Sequence, residues 1–452
     1  MAEADVAIVG GGAGGTLVAI QLLRQARAPS SIVLVERGER VARGIAYSTA
    51  DPDHLLNVPA GKMSALPDVP DHFARWACTS DAAFVARGRY GEYLEQTLRE
   101  SIARAPRGVS FQIFRSTATS ACLVERGVRL TLVPHGHLDV RAAVIALGNF
   151  PTVDPAVEDG GLYASDRYAR SPFLPGALDG IDPDADVVFL GSGLTMVDAA
   201  LAFRERGHRG RLQAISRHGL VPQVHGPARP SRTRIGAIGV RGLLRALRTE
   251  VARGGDWRAI FDGFRSSTQR IWQRLPPAER ERFLRHLRAY WDVHRHRMAP
   301  RVGEAIAAMR ASGQLSIRAG RIASFALEPD SAVVRFWPRG SRDLIEMSAA
   351  RVINCTGPAA SIEEACSSLV SSLLSAGLAR PGSLGMGFAT DRDGALLGSS
   401  GGRLFTLGSL RRGDLWESTA IPELREQARA LASRIVGSSL REIDQLRVHA
   451  SS

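Results

Sequence analysis

Two doubly wound α/β units, the second interrupted by a block of helices, are what this sequence predicts, on three observations. A short apolar strand, Asp5-Val6-Ala7-Ile8-Val9, runs directly into the turn Gly10-Gly11-Gly12-Ala13-Gly14-Gly15, then an apolar helix, then the strand Ile32-Val33-Leu34-Val35-Glu36. The same order returns at 186–217, as Asp186-Val187-Val188-Phe189-Leu190, a second glycine turn, a helix to about Arg206, and Leu212-Gln213-Ala214-Ile215-Ser216. Residues 232–312 then change character, rich in Arg, Leu, Ala and Glu, with Ile271, Leu275, Phe283, Leu287 and Tyr290 at helical spacing. Short apolar strands bounded by Gly and Asp fit buried parallel sheet, and two strand–turn–helix units in one chain imply two nucleotide sites.

In the first unit each glycine has a duty. Gly10 permits the tight turn, Gly12 lets a pyrophosphate approach the backbone, and Gly15 lets helix and strand pack closely. The helix opening at Ala13 and Gly14 offers free N–H groups and the positive end of its dipole to the phosphates. Glu36 lies about 20 residues beyond the turn, where a carboxylate accepts hydrogen bonds from ribose hydroxyls. The second unit keeps Gly191 and Gly193 but has Met196 in the third place. That loosens the helix-to-strand contact while leaving the phosphate-facing N–H groups at Leu194 and Thr195. Its next strand ends in Ser216-Arg217-His218 with no carboxylate. An acid there would repel a 2′-phosphate and a guanidinium can pair with it, so NADPH is favoured over NADH; a solvated surface Arg217 is the alternative.

At 452 residues the chain calls for two or three domains of roughly 100–200 residues. Its 44% hydrophobic content and mean hydropathy of −0.06 suit ordinary globular cores. No apolar run approaches the roughly 20 residues that span a bilayer, and nothing before Asp5 reads as a secretion signal, so a cytoplasmic location is expected. The net charge of +13 is carried almost wholly by arginine, Lys62 being the only lysine. Aromatic content is 6% and no basic run is interleaved with stacking residues. Anionic cofactors and substrates are therefore the expected partners, not nucleic acid. Cys78, Cys122, Cys355 and Cys366 form no C-x-x-C, which argues against a dithiol redox centre and leaves buried free thiols as the reading. No G-x-S-x-G, H-E-x-x-H or G-K-[ST] motif occurs. His294 and His296, two apart on a helix, make a poor metal pair, and no metal is expected.

Five stretches resemble the signature of a family of bacterial FAD/NAD(P)-binding proteins. They are Gly44-Ile45-Ala46-Tyr47-Ser48 with His54-Leu55-Leu56-Asn57-Val58-Pro59-Ala60-Gly61-Lys62-Met63-Ser64-Ala65; Gly193-Leu194-Thr195-Met196-Val197-Asp198; Tyr290-Trp291-Asp292-Val293-His294-Arg295-His296-Arg297; and Leu415-Trp416-Glu417-Ser418-Thr419-Ala420-Ile421-Pro422-Glu423. That family is similar in architecture to flavin-containing and N-hydroxylating monooxygenases. The resemblance implies two Rossmann-like three-layer dinucleotide-binding domains, an FAD domain from 1–165 and 340–452 and an NAD(P) domain from 166–231 and 313–339, with 232–312 as a helical insertion. The strand Ala143-Val144-Ile145-Ala146-Leu147-Gly148 and its echo at 352–357 resemble the strands that hinge such domains. FAD contacts are then expected at Arg37, Tyr47, His54, Asn57, Val58, Met63, Ser64, Gly148, Gly408, Thr419 and Ile421, besides the first turn and Glu36. Asn57 and Ser64 would offer hydrogen bonds to the isoalloxazine, and a helix from Ile421 to about Val436 would aim its N-terminus at the flavin pyrimidine. Ser409 after Gly408 departs from the usual Gly-Asp pair.

The resemblance implies an FAD-dependent, NADPH-reduced oxidoreductase. The leading expectation is a monooxygenase that uses O₂ to oxygenate a small nucleophilic molecule, amine- and amino-acid-like compounds among the candidates. His294 and His296, with Arg295 and Arg297, are candidate contacts to substrate or cofactor phosphate; a polar helix packed at a domain interface is the other reading. A reductase serving another acceptor and a cofactor-bound regulatory or partner-binding protein are the alternatives. The oligomeric state is left open.

Overall fold

The computed structural model describes residues 2–27, 29–227, 239–359, 361–365 and 367–450, with side chains of the last helix described to residue 437. Cys366 and residues 232–238 of the expected insertion lie outside the described residues.

Two seven-stranded sheets carry the chain. In the first, the order is Val109–Phe114, Ser30–Val35, Ala2–Val9, Gly136–Ile145, Gly127–Val133, Thr117–Val124. The first four strands are parallel. Gly136–Ile145 is long enough to serve twice, pairing antiparallel with Gly127–Val133 at its start and parallel with Leu404–Thr406 at its end. Both faces are buried, which is why these strands read as continuous apolar runs. Val6, Ile8, Ile32, Leu34 and Val144 pack with side chains of the helices Ala13–Gln25, Arg87–Ala103 and Ile421–Ala450. Ala7, Val9, Val33, Val35 and Ala143 pack with the antiparallel strands and the Ser368–Ser375 helix. The last helix continues to Ala450, beyond the end expected near Val436.

The second sheet repeats the plan. Its order is Ile345–Ala349, Ala332–Pro338, Leu315–Leu327, Leu212–Ser216, Val187–Leu190, Arg351–Asn354, Tyr168–Ala169. The strands from Leu315–Leu327 onward are parallel. Val187, Phe189, Leu212 and Ala214 face the helices Leu194–Glu205 and Pro300–Ala311, and Val188, Leu190, Ile215 and Val352 face the antiparallel strands. The unit therefore runs to Asn354, past the boundary expected at residue 339, because two more strands hydrogen-bond into it. Between the second glycine unit and its closing strands stand the helices Gly239–Ala252, Trp257–Phe264, Thr268–Arg274, Pro277–His286 and Arg288–Arg295. The architecture is two Rossmann-like dinucleotide-binding units, the second with a helical block. Of the described thiols only Cys355 is buried, and burial pushes its pKa up; Cys78 and Cys122 are exposed, against expectation, because both lie at surface turns or on an outer strand.

The two glycine turns share one geometry. Gly10 N donates to Val35 O and Ala146 N to Val9 O, both at 2.8 Å; Gly191 N donates to Ile215 O at 2.7 Å and Cys355 N to Leu190 O at 2.8 Å. Gly10 has φ +107° and Gly191 φ +110°. A Cβ on Gly10 would stand 2.4 Å from Ala146 O, and one on Gly191 2.6 Å from Cys355 O. Glycine is required at both. At Gly15 a Cβ would meet Gly10 O at 1.9 Å, whereas at Gly193 it would meet nothing within 4 Å. Gly15→Ala must therefore displace helix or turn, and thermal unfolding of the apoprotein should show a loss of about 1–3 kcal/mol. Gly193→Ala should stay within about 0.5 kcal/mol of the parent.

Candidate functional site

The first cradle is open where a pyrophosphate would approach. Gly12 is extended (φ −70°, ψ −172°) and caps the Ala13–Gln25 helix without a side-chain bond, so the first amides are unmasked. The short helix Gly44–Tyr47 runs beside it, with Gly44 Cα 3.5 Å from where a Gly12 Cβ would lie. Glu36 folds back on the turn, its Oε2 accepting from Gly11 N at 2.6 Å and its Oε1 from Gly38 N at 2.7 Å. The neighbouring Arg37 is exposed. Tyr47 packs on Tyr90, ring centroids 4.8 Å apart, and burial pushes its phenol up to about 12.

The motif at 54–65 holds this cradle against the second domain. His54 Nε2–H donates to Asp198 O at 3.0 Å, and Nδ1 lies 2.8 Å from Thr49 Oγ1. Arg87 grips the Asp198 carboxylate with both terminal nitrogens, at 2.6 and 3.1 Å. Asp53 lies 3.0 Å from Arg301 and 3.3 Å from Arg204. The stretches 54–65 and 193–198 thus meet at a domain interface. His54 spends both ring nitrogens there, in place of the cofactor contact expected of it. Val58 and Met63 are buried in the core of the first domain. Ser64 is corrected similarly: fully buried, its hydroxyl lies 2.6 Å from Val69 O and 3.0 Å from Leu66 O, fixing its own loop. Asn57 remains half-buried, with its carbonyl accepting from His225 Nε2–H at 3.0 Å.

The C-terminal side is built by residues 408–427. Gly408 N donates to Gln427 Oε1 at 3.1 Å, and Gln427 Nε2 donates to Ser418 O at 3.0 Å. Ser409, which departs from the usual Gly-Asp pair, donates its Oγ–H to Gly148 O. Thr419 is exposed and Ile421 is buried at the start of the last helix. Onto this segment docks the helical block. Trp291 Nε1–H donates to Glu417 Oε1 at 2.8 Å, Arg295 lies 3.4 Å from Glu417 Oε2, and Arg265 holds Glu423 at 2.7 and 2.8 Å. Burial alone would raise the Glu417 carboxyl, but the charges of His296 and Arg295 beside it hold it below the ordinary range. His296 Nε2 is 3.9 Å from Glu417, while His294 turns away into an apolar cavity. His294 lies in the last turn of the Arg288–Arg295 helix and His296 caps its end, where the block meets the first domain. No group of acids, histidines and cysteines suited to a metal occurs among the described residues.

These donors fit FAD. Buried polar atoms with no hydrogen-bond partner gather around the start of the last helix: Trp416 Nε1, Ser418 Oγ, Arg412 Nε and Arg425 Nε. Buried polar groups left unpaired by protein are costly, so such a concentration marks a place for a polar ligand. The second cradle fits a second dinucleotide. Gly193 is exposed and extended, and the amides of Leu194 and Thr195 follow it at the helix start. Beyond the next strand, exposed Arg217 adjoins His218, whose Nδ1 is 3.4 Å from Arg339 Nη1. Burial and then the charges of Arg339 and Arg217 push the His218 pKa down, which records a cationic rim.

Sequence reasoning missed Arg87, Gln427, Arg265 and His225, whose partners are 19 to 168 positions away. His225 carries a pH signature: burial, then Arg297, pushes its pKa down to about 4 from 6.5. Between those values the unfolded chain binds the extra proton, so the stability from neutral His225 is complete above about pH 6.5 and is lost as pH falls toward 4. Urea unfolding across this window should show an acid-side loss on the order of 2 kcal/mol that His225→Gln lacks.

Residues 7–150 match a family model described as FAD-NAD(P)-binding. Nitrosuccinic acid synthase of Aspergillus oryzae is 28% identical over 197 residues, 40% of this chain and 29% of that protein, so the match spans under a third of the relative's length. Solved structures of similar fold include the ornithine N-hydroxylase of Kutzneria sp. 744 (TM-score 0.66, 14% identity, 97% of this chain and 100% of that one). The L-lysine 6-monooxygenase of Pseudomonas syringae gives 0.64 and 16%, covering 96% and 99%. The bacillithiol disulfide reductase of Staphylococcus aureus gives 0.60 and 14%, covering 97% and 99%. The glycine cradle and the family match agree: residues 7–150 form an FAD-NAD(P)-binding domain.

Proposed function

We propose that the chain is an FAD-dependent monooxygenase that takes two electrons from NADPH and oxygenates a small nucleophilic molecule. One atom of O₂ enters the substrate, the other leaves as water, and NADP⁺ is the remaining product. FAD, when bound, supplies the hydride acceptor and the oxygen chemistry. This chain's residues do the rest. The turns at 10–15 and 191–195 present amides to the two pyrophosphates. Arg217, His218 and Arg339 offer donors to a 2′-phosphate, which favours NADPH over NADH. The helical block covers Trp416, Glu417 and Ser418 and excludes water from them.

The observation that carries the oxygenase reading is the cavity beside this segment: a small-molecule cavity reaches Trp416, and no described thiol pair is available for disulfide exchange. The ornithine N-hydroxylase and the lysine monooxygenase of similar fold support it. The likeness to a disulfide reductase favours the second reading, a reductase serving another acceptor, but buried Cys355 is a poor nucleophile with its thiol pushed up.

Two outcomes are expected. With its substrate the holoenzyme should consume O₂ and NADPH one for one without releasing peroxide, measured by oxygen electrode and absorbance; electron flow to an added acceptor with no oxygen uptake would replace this reading with the reductase. Arg217→Ala should raise the Michaelis constant for NADPH roughly 10-fold, the loss of one charge-assisted contact, and leave that for NADH nearly unchanged.

A further inference from the structure

The helices between residues 239 and 295 line a half-open cavity of about 680 Å³, a size that suits a drug-sized ligand. Four of the chain's six tryptophans line it, Trp257, Trp272, Trp291 and Trp416. Trp416 alone among the described lining residues comes from the first domain, and it stands five positions before Ile421. Its backbone is held at φ +60°, uncommon for a bulky residue, while its ring stacks 5.1 Å from that of Trp272. The cavity thus abuts the segment where the unpartnered donors gather. No aspartate or glutamate lines it, and its charged residue, Arg248, is exposed at the surface.

Polar groups of the wall are His294, Tyr290 and Thr268, the last with its hydroxyl donating to Phe264 O at 2.8 Å. The His294 ring lies flat against Phe261, centroids 5.4 Å apart, and edge-on to Trp257 at 4.9 Å. Nδ1 is 2.7 Å from Tyr290 O. A carbonyl only accepts, so Nδ1 carries a proton, and it is Nε2 that serves as acceptor in the neutral form of the ring. We propose that this cavity is the substrate chamber and that it selects an uncharged, largely hydrophobic molecule bearing one hydrogen-bond donor. The inference rests on the oxygenase reading for the word substrate and on the cavity alone for the ligand class. A diamino acid would bring two ammonium groups into an aromatic wall with no acid to meet them, and their desolvation would go uncompensated.

The test is equilibrium binding to the FAD-loaded protein, by calorimetry and tryptophan emission, with 4-pentylphenol, 4-pentylanisole and L-ornithine. The phenol should bind about 10-fold more tightly than the anisole, the worth of one hydrogen bond, and perturb tryptophan emission; ornithine should show no saturable binding. His294→Phe keeps the ring stack and should erase the phenol's advantage, and Leu244→Arg should weaken both aromatic probes at least 10-fold. Ornithine binding as tightly as the phenol, or probes indifferent to Leu244→Arg, would overturn the assignment. With no NADPH or substrate turnover in the cell, this result stands apart from the oxygen-uptake stoichiometry.

Discussion

In each unit a carbonyl oxygen of the neighbouring strand occupies the place where a side chain would begin. Ala146 O at Gly10 and Cys355 O at Gly191 leave no room for a Cβ, and the backbone can turn from strand to helix only at strongly positive φ. Because the chain turns there, the helix begins with its first amides directed outward and unbonded, and a dinucleotide phosphate is what such an end attracts. The parallel neighbours on either side, 30–35 with 136–145 and 212–216 with 351–354, exist in register to supply those carbonyls. Sheet order and cofactor site are therefore one constraint seen twice.

Relative placement of the two units depends on a different physics. Arg87, Asp198, His54 and Asp53 are buried or nearly so at the interface. Burying ions costs desolvation that the pairing only partly offsets, so these contacts specify one docking geometry more than they add stability. Bidentate geometry strengthens that specificity, since a planar guanidinium meets a carboxylate in one orientation. Glu417 and Glu423 do the same for the helical block, with Arg265, Arg295 and Trp291 as partners. The block is thereby held over the end of the first domain, and the space it lines is apolar because its amphipathic helices turn leucines and aromatics inward.

Much of the site was legible in the chain. Both cradles are local events in which strand, glycine turn, helix and strand follow one another, so the residues that need each other are neighbours in sequence. Met196 illustrates the limit of reading a motif: with a fully buried side chain it joins the core around Phe189 and Phe203, where the first unit needs glycine against Gly10 O. Ser64 and His54 look alike as polar residues in one stretch, yet one caps its own loop and the other spans 144 positions to Asp198. Nothing in their neighbours distinguishes those roles.

By itself the sequence determined the two nucleotide-binding turns, the apolar strands beneath them and the helical character of 239–312. These follow from backbone conformations set within a few residues. Only the tertiary structure decided that the second unit extends to Asn354, that His294 and His296 part to opposite tasks, and that Glu417 is met by Trp291 and Arg295. Desolvation and ion pairing depend on which distant groups arrive at the same point, and that information is created only when the sheets and helices pack.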